Sequence, residues 1–180
     1  MTADKEAARA HLIGVLQAAH SGELAAGLAY AGHWRSVASA EERERIRSIE
    51  AEEWRHRQLV GELLRRLGAR PSARREVVFR LLGRVLGPLC SWAGWLLPMY
   101  GAGLLESRNI VEYEVAAELA RLSGHEEFVE CLLEMAEVEW QHERYFRERV
   151  MSHPLAGRLP MWREPPPLAS IREKGKRSAA

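Results

Sequence analysis

A chain of 180 residues is long enough for one domain with a sizeable buried core. Its 26 lysines and arginines nearly cancel 25 aspartates and glutamates, and a net charge of +1 excludes a global field that would draw in nucleic acid. Cys90 and Cys131 form no Cys-x-x-Cys, which excludes a zinc ribbon or rubredoxin-like site and fits a reducing compartment.

The first stretch, "MTADKEAARAHLIGVLQAAH", has no cationic segment followed by an apolar one, so no secretory signal is expected. Residues 5 to 37 carry Leu12, Leu16, Leu24 and Leu28 at helical spacing and read as one long helix. Ser39 to Glu42, "SAEE", is a capping box that opens a second helix, which Gly68 and Pro71 end near Leu67. Twelve arginines lie between Arg43 and Arg84, a run read as a solvated helix face or a surface for anionic lipid. A short segment, Ser72 to Arg84, leads into 21 residues without a charge, Val85 to Leu105. A further helix is expected from about Gly101 to Leu122. "SGHE" at Ser123 to Glu126 repeats the cap signal, and a last helix runs to about Met151. Residues 152–180 are Pro-rich and basic without helical period, and read as extended or disordered. No strand is expected. Residues 1–151 therefore read as two antiparallel helical hairpins joined by an apolar crossover at about 72–105.

"EWRH" at Glu53 to His56 recurs as "EWQH" at Glu139 to His142. On a helix, positions i and i+3 share a side, so each copy can aim a carboxylate and an imidazole at one spot. Glu-x-x-His on two helices, with one Glu from each of two others, is the ligand set of ferritin-like di-iron bundles. Residues equidistant from a hairpin turn lie at equal height. Glu53 lies fifteen residues past a turn centred near Ala38, and Glu23 lies fifteen before it. Glu139 lies sixteen past a turn centred near Ser123, and Glu106 is one residue from the matching height. Glu112, Glu114 and Glu118 miss that height by roughly 7 to 17 Å at about 1.5 Å per residue. Glu23, Glu53, His56, Glu106, Glu139 and His142 are thus the candidate ligands of two iron ions. Each single Glu is followed seven residues on by a tyrosine, Tyr30 or Tyr113, so the halves form an internal repeat. The two tyrosines read as core residues near the metals or as catalytic groups. Trp54 and Trp140 read as packing that walls the site, and His11, His20, His33 and His125 as surface or capping residues. His20 lies three residues before Glu23 and could face the metals.

These motifs resemble those of the demethoxyubiquinone hydroxylases of ubiquinone biosynthesis, over roughly Leu12 to Val150. "SGELAAGLAYAGHW" is similar to that family's first-helix Gly-Glu…Tyr-x-Gly motif, and both Glu-x-x-His sites and the Pro/Gly-rich apolar segment match. The resemblance implies an all-α, ferritin-like four-helix bundle, the same six ligands, and a di-iron, membrane-associated monooxygenase. Its partners would be O2, a hydrophobic quinone-like molecule and the membrane surface. One departure touches the substrate: Glu112 stands where the family usually has a histidine.

The apolar stretch is long enough to span a bilayer, but Pro88, Pro98 and four glycines would break a lone spanning helix. Insertion into one leaflet fits better, with a buried lid or a homodimer interface as the alternative. Leu89, Trp92, Leu96 and Met99 are the expected lining of the substrate entrance, and the expected location is cytoplasmic, on the inner face of the cell membrane. The other reading is a ferritin- or rubrerythrin-like protein that oxidises iron or handles peroxide, which needs the same ligands but no lipid entrance.

Overall fold

The structure, a computed structural model, describes the backbone of residues 2–177 and the side chains of residues 3–173. Among these residues there is no strand. Six α-helices follow in order: α1 (Thr2–Ser36), α2 (Ala40–Arg66), α3 (Ala73–Trp92), α4 (Leu96–Ser123), α5 (Val129–Met151) and α6 (Leu168–Arg177). The chain divides into two units. One is Leu16–Pro98, and the other joins Met1–Val15 to Met99–Ala180.

In the first unit, α1 and α2 are joined by three residues. Ser39 caps α2 as its sequence promises, accepting from the Glu42 backbone N–H at 3.3 Å. The reciprocal half of the box is absent, because Glu42 instead accepts from the Trp95 indole at 2.9 Å. Gly68, at φ 65°, ends α2 with its N–H on Arg65 O while Ala69 N–H reaches Leu64 O. α3 runs further than composition suggests. It continues through Pro88 to Trp92, and α4 begins at Leu96 instead of Gly101. Pro98 falls in the first turn of α4, where no intrahelical bond is lost. Pro88 sits in the interior of α3, just after the helix has been pressed against α1. A Cβ on Gly83 would lie 2.7 Å from Ala25 O, and one on Gly87 would lie 2.9 Å from Leu28 O. Gly32 and Gly87 face each other with no room for a Cβ on Gly32. This backbone-to-backbone seam holds α3 in place although much of its outer face is exposed.

In the second unit, Ser123 does not cap α5. It is the last residue of α4 and donates to Leu119 O at 2.7 Å, while Gly124, at φ 82°, turns the chain into a 3-10 turn at Glu126–Phe128. The segment after Met151, expected to be extended or disordered, is docked. Trp162 is buried and its indole donates to Glu143 Oε1 at 2.7 Å. Arg147 donates to the same oxygen at 2.6 Å and to the carbonyls of Trp162 and Arg163. Trp162 packs over Gly103 and edge-on to Tyr100. A helix as short as α6 is marginal alone. It is fixed by fully buried Ile171 and by Arg172, which forks onto Glu137 and Glu130 of α5. Composition misses this because the apolar anchors, Trp162 and Ile171, are single residues without a period. Residues 178–180 of the expected tail lie outside the described residues.

Two outcomes follow for stability. Gly83→Leu should lower the chain's stability by about 1–3 kcal/mol through overpacking against α1. Gly101→Ala, where an added Cβ meets nothing within 4 Å, should leave it equal or higher; thermal melts of both variants check this. Arg147→Met strands the buried Glu143 and should cost about 3–5 kcal/mol in urea unfolding. Glu164→Gln, which breaks only an exposed pair with Arg144, should cost under about 1 kcal/mol.

Candidate metal centre

Each candidate ligand occupies a core position of its own helix. Along α2 the buried stripe reads Ile46, Ile49, Glu53, His56, Val60, Leu63, at alternating steps of three and four. Along α5 it reads Leu132, Met135, Glu139, His142, Phe146, Val150. Glu106 stands between Met99 and Tyr113 on the buried face of α4, and Glu23 follows Leu12 and Leu16 on α1. Ordinary amphipathic patterning would fill these places with leucine. Here the fold spends them on ionisable groups: Glu53, Glu139 and His142 are fully buried, and Glu106, Glu23 and His56 are within 3 % of it.

In the first unit, Glu23, Glu53 and His56 each offer a ligand atom within 4.8 Å of the others. In the second unit, Glu106, Glu139 and His142 do the same. His142 Nδ1 is 3.9 Å from Glu106 Oε2 and 3.7 Å from Glu139 Oε2. Each half therefore gathers two carboxylates and one imidazole at one spot. Two like charges removed from water and brought this close call for compensating positive charge or coordination to a cation. A mixed oxygen and imidazole set suits a first-row transition ion such as iron, and each triad could hold one.

Around the triads, some side chains go where the sequence places them and others do not. Tyr30 and Tyr113 are buried core residues of α1 and α4. His33, expected at the surface, is 2 % exposed and stacks on Tyr30 with ring centroids 6.1 Å apart. His20 turns to α3, not to the triad, with Nδ1 2.7 Å from Glu76 Oε1. Arg57, next to His56, donates to Glu76 Oε2 at 2.6 Å. Burial works to raise the Glu76 carboxyl, but hydrogen bonds from Arg57 and His20 outweigh it and hold the group at about 2. Trp54 and Trp140 act as clamps: Trp54 stands against Gly27 of α1, and the Trp140 indole donates to Pro166 O of the docked tail at 2.9 Å. Leu89 and Trp92 are exposed, Leu96 is half-buried and Met99 is fully buried. Glu112 is half-buried on α4.

One polar neighbour of a triad sits at the same spacing from its glutamate as the two histidines do. Asn109, three residues after Glu106, lies with Nδ2 3.3 Å from Glu106 Oε2 and 3.5 Å from Glu139 Oε2. The only signal available was an amide on the ligand face of α4.

The electrostatics set a pH dependence. Burial pushes the His33 imidazole down to about 4 from an ordinary 6.5. Between those values the unfolded chain takes up a proton that the folded chain refuses, so His33 leaves stability intact above about pH 6.5 and erodes it as pH falls toward 4. Glu76 acts in a lower window: its contribution is present above about 4.5 and disappears as pH falls toward 2. His33→Phe should flatten the stability profile between pH 6.5 and 4 and leave the acid limb below it, measured as urea midpoints across the range.

The family model described as Ubiquinone biosynthesis protein COQ7 matches residues 10–101, just over half of the chain. That span carries Glu23, Glu53 and His56, while Glu106, Glu139 and His142 lie beyond it. Neither the curated proteins nor the solved structures compared with the chain gave a match. The first-helix motif, the Glu-x-x-His of α2 and the apolar segment all fall inside the matched span, and the protein belongs to the COQ7 family of ubiquinone biosynthesis proteins, the demethoxyubiquinone hydroxylase family.

Proposed function

We propose that the chain is a di-iron, O2-dependent monooxygenase that hydroxylates a hydrophobic quinone of the demethoxyubiquinone type. The observation that carries this reading is the pair of buried Glu/Glu/His triads, one in each half of the repeat. Three protein donors leave an ion's shell incomplete. Two helices that each carry a Glu-x-x-His, with one Glu from each of two others, make the ligand set of ferritin-like di-iron bundles. Glu23, Glu53, His56, Glu106, Glu139 and His142 would hold the two irons. When bound, iron supplies the redox chemistry with O2. One oxygen atom enters a ring C–H bond and the other leaves as water, with two electrons and two protons from an external reductant.

The remaining residues exclude water and orient the substrate. Tyr30 and Tyr113 lie about 10 Å along their helices from Glu23 and Glu106, at about 1.5 Å per residue, and wall the interior there. Among the described residues no helix is long and apolar enough to cross a membrane. α3 instead exposes Val77, Val78, Leu81, Val85, Leu89 and Trp92, with Arg74, Arg75, Arg80 and Arg84 also exposed. This suits a helix lying in the interface of an anionic membrane, on its cytoplasmic face. Exposure falling from Trp92 through Leu96 to Met99 supports an entrance for a lipid-soluble substrate at this point of the chain. An iron-storing or peroxide-handling protein has no use for such a face.

The test is iron content after anaerobic Fe(II) loading, followed by O2 and reductant in vesicles holding a demethoxyquinone. About two irons per chain and a product carrying label from 18O2 are expected, and His142→Ala should lose iron and product together. Two irons with no labelled product would favour the iron-handling reading. No bound iron, or full iron in His142→Ala, would overturn the ligand assignment.

A further inference from the structure

We propose that the outer face of α4 is the surface on which a second copy of this chain docks, the two helices running antiparallel across a two-fold axis. α4 is apolar on two sides. Its inner side is the buried row of Ala102, Ile110, Tyr113, Ala117 and Ala120, with Glu106 among them. On the opposite side Arg108, Val111, Val115 and Leu122 are exposed. Gly101, Leu104 and Glu118, each half-buried, fill the remaining places of the same row. From Gly101 to Leu122 the steps along this row are three, four, three, four, three and four. That is a heptad seam, the period at which one helix packs along another. Single exposed leucines or valines are ordinary, but a row sustained along about 32 Å of helix marks a surface that something covers.

The charges within the row identify the occupant. Two copies laid parallel would set Arg108 on Arg108 and Glu118 on Glu118. Laid antiparallel about a point between Asn109 and Ile110, the same row becomes complementary to itself. Leu104 then falls opposite Val115 of the second copy, and Arg108 falls opposite Val111 and one residue from Glu112 of the second copy. Glu118 falls opposite Gly101, where an added Cβ would meet nothing within 4 Å and a longer side chain has room to lie. Each pairing occurs twice, as an isologous contact requires, and no like charges face each other. Lipid fits this row less well. A cation sits in its middle, and the carboxylates of Glu112 and Glu118 at its margins would be repelled by anionic headgroups. One helix pair is a modest interface, so the dimer should form and dissociate with concentration.

The experiment is sedimentation velocity of the full chain over a range of protein concentrations, with binding to vesicles of anionic phospholipid measured alongside. The wild-type chain should pass from monomer to dimer as concentration rises. Val111→Arg sets a cation opposite Arg108 and should stay monomeric where the wild type is a dimer. Val115→Arg, opposite Leu104, should do the same, so the outcome does not hang on one variant. Both sites are exposed, and melts taken at a dilution where every chain is a monomer should match the wild type. Arg108→Glu turns the cross-copy attraction to Glu112 into repulsion and should weaken the dimer about ten-fold or more. Arg108→Glu combined with Glu112→Arg restores the pair in both copies and should recover the loss. Vesicle binding of Val111→Arg and Val115→Arg should be no weaker than that of the wild type. A wild-type chain that stays monomeric, or a dimer that survives both arginine variants, would overturn the proposal. So would weaker vesicle binding by those variants, which would assign the row to lipid.

Discussion

Burying carboxylates is the constraint to which the rest of this structure answers. The stripes of α2 and α5 that should be apolar are each interrupted by a glutamate and a histidine of a triad, flanked by isoleucine, valine, leucine, methionine or phenylalanine one turn away, and Glu23 and Glu106 interrupt the buried faces of α1 and α4. The flanking residues supply the hydrophobic stabilisation, and the interrupted turns work against it. Such an arrangement is stable as a fold only because long helices carry many core residues for every ionisable one. The lengths of α1, α2, α4 and α5, from 23 to 35 residues, serve that ratio.

The same constraint explains why so much of the site is legible in the chain. Glu53/His56 and Glu139/His142 must share a helix face, so their spacing is fixed by 3.6 residues per turn and can be read directly. Glu23 and Glu106 must meet the height of those pairs, so the turn positions point to them. Asn109 shares the i+3 step from Glu106, but its reach across to Glu139 is a tertiary contact that no spacing records. His33 is similar: its burial follows from packing on Tyr30, which no local pattern records. Where the reading misses the fold, the cause is tertiary. Pro88 is accommodated because glycines 83 and 87 lie flat on α1, and the Pro-rich tail docks because Glu143 and Arg147 already wait on α5.

α3 combines two properties that rarely share one helix. Its inner side carries glycine at 83 and 87, where it comes closest to α1, which allows backbone contact and leaves little freedom to tilt. Its outer side carries valine, leucine and tryptophan in the open. Glu76 adds a polar tether at the start of the helix, bound by Arg57 and His20 beside the α2 and α1 ligands.

The strap of residues 158–166 has a consequence for the order of events during synthesis. Glu143 lies one residue beyond His142, and its buried Oε1 accepts from Arg147 and from the indole of Trp162. Until Trp162 leaves the ribosome, this part of α5 has its carboxylate and arginine but not the indole and carbonyls that complete their shell. The last turns of α5 therefore settle only after the tail has emerged, roughly 20 residues after the final ligand and so seconds later at ordinary elongation rates. During that interval the second triad sits on a helix whose end has yet to settle.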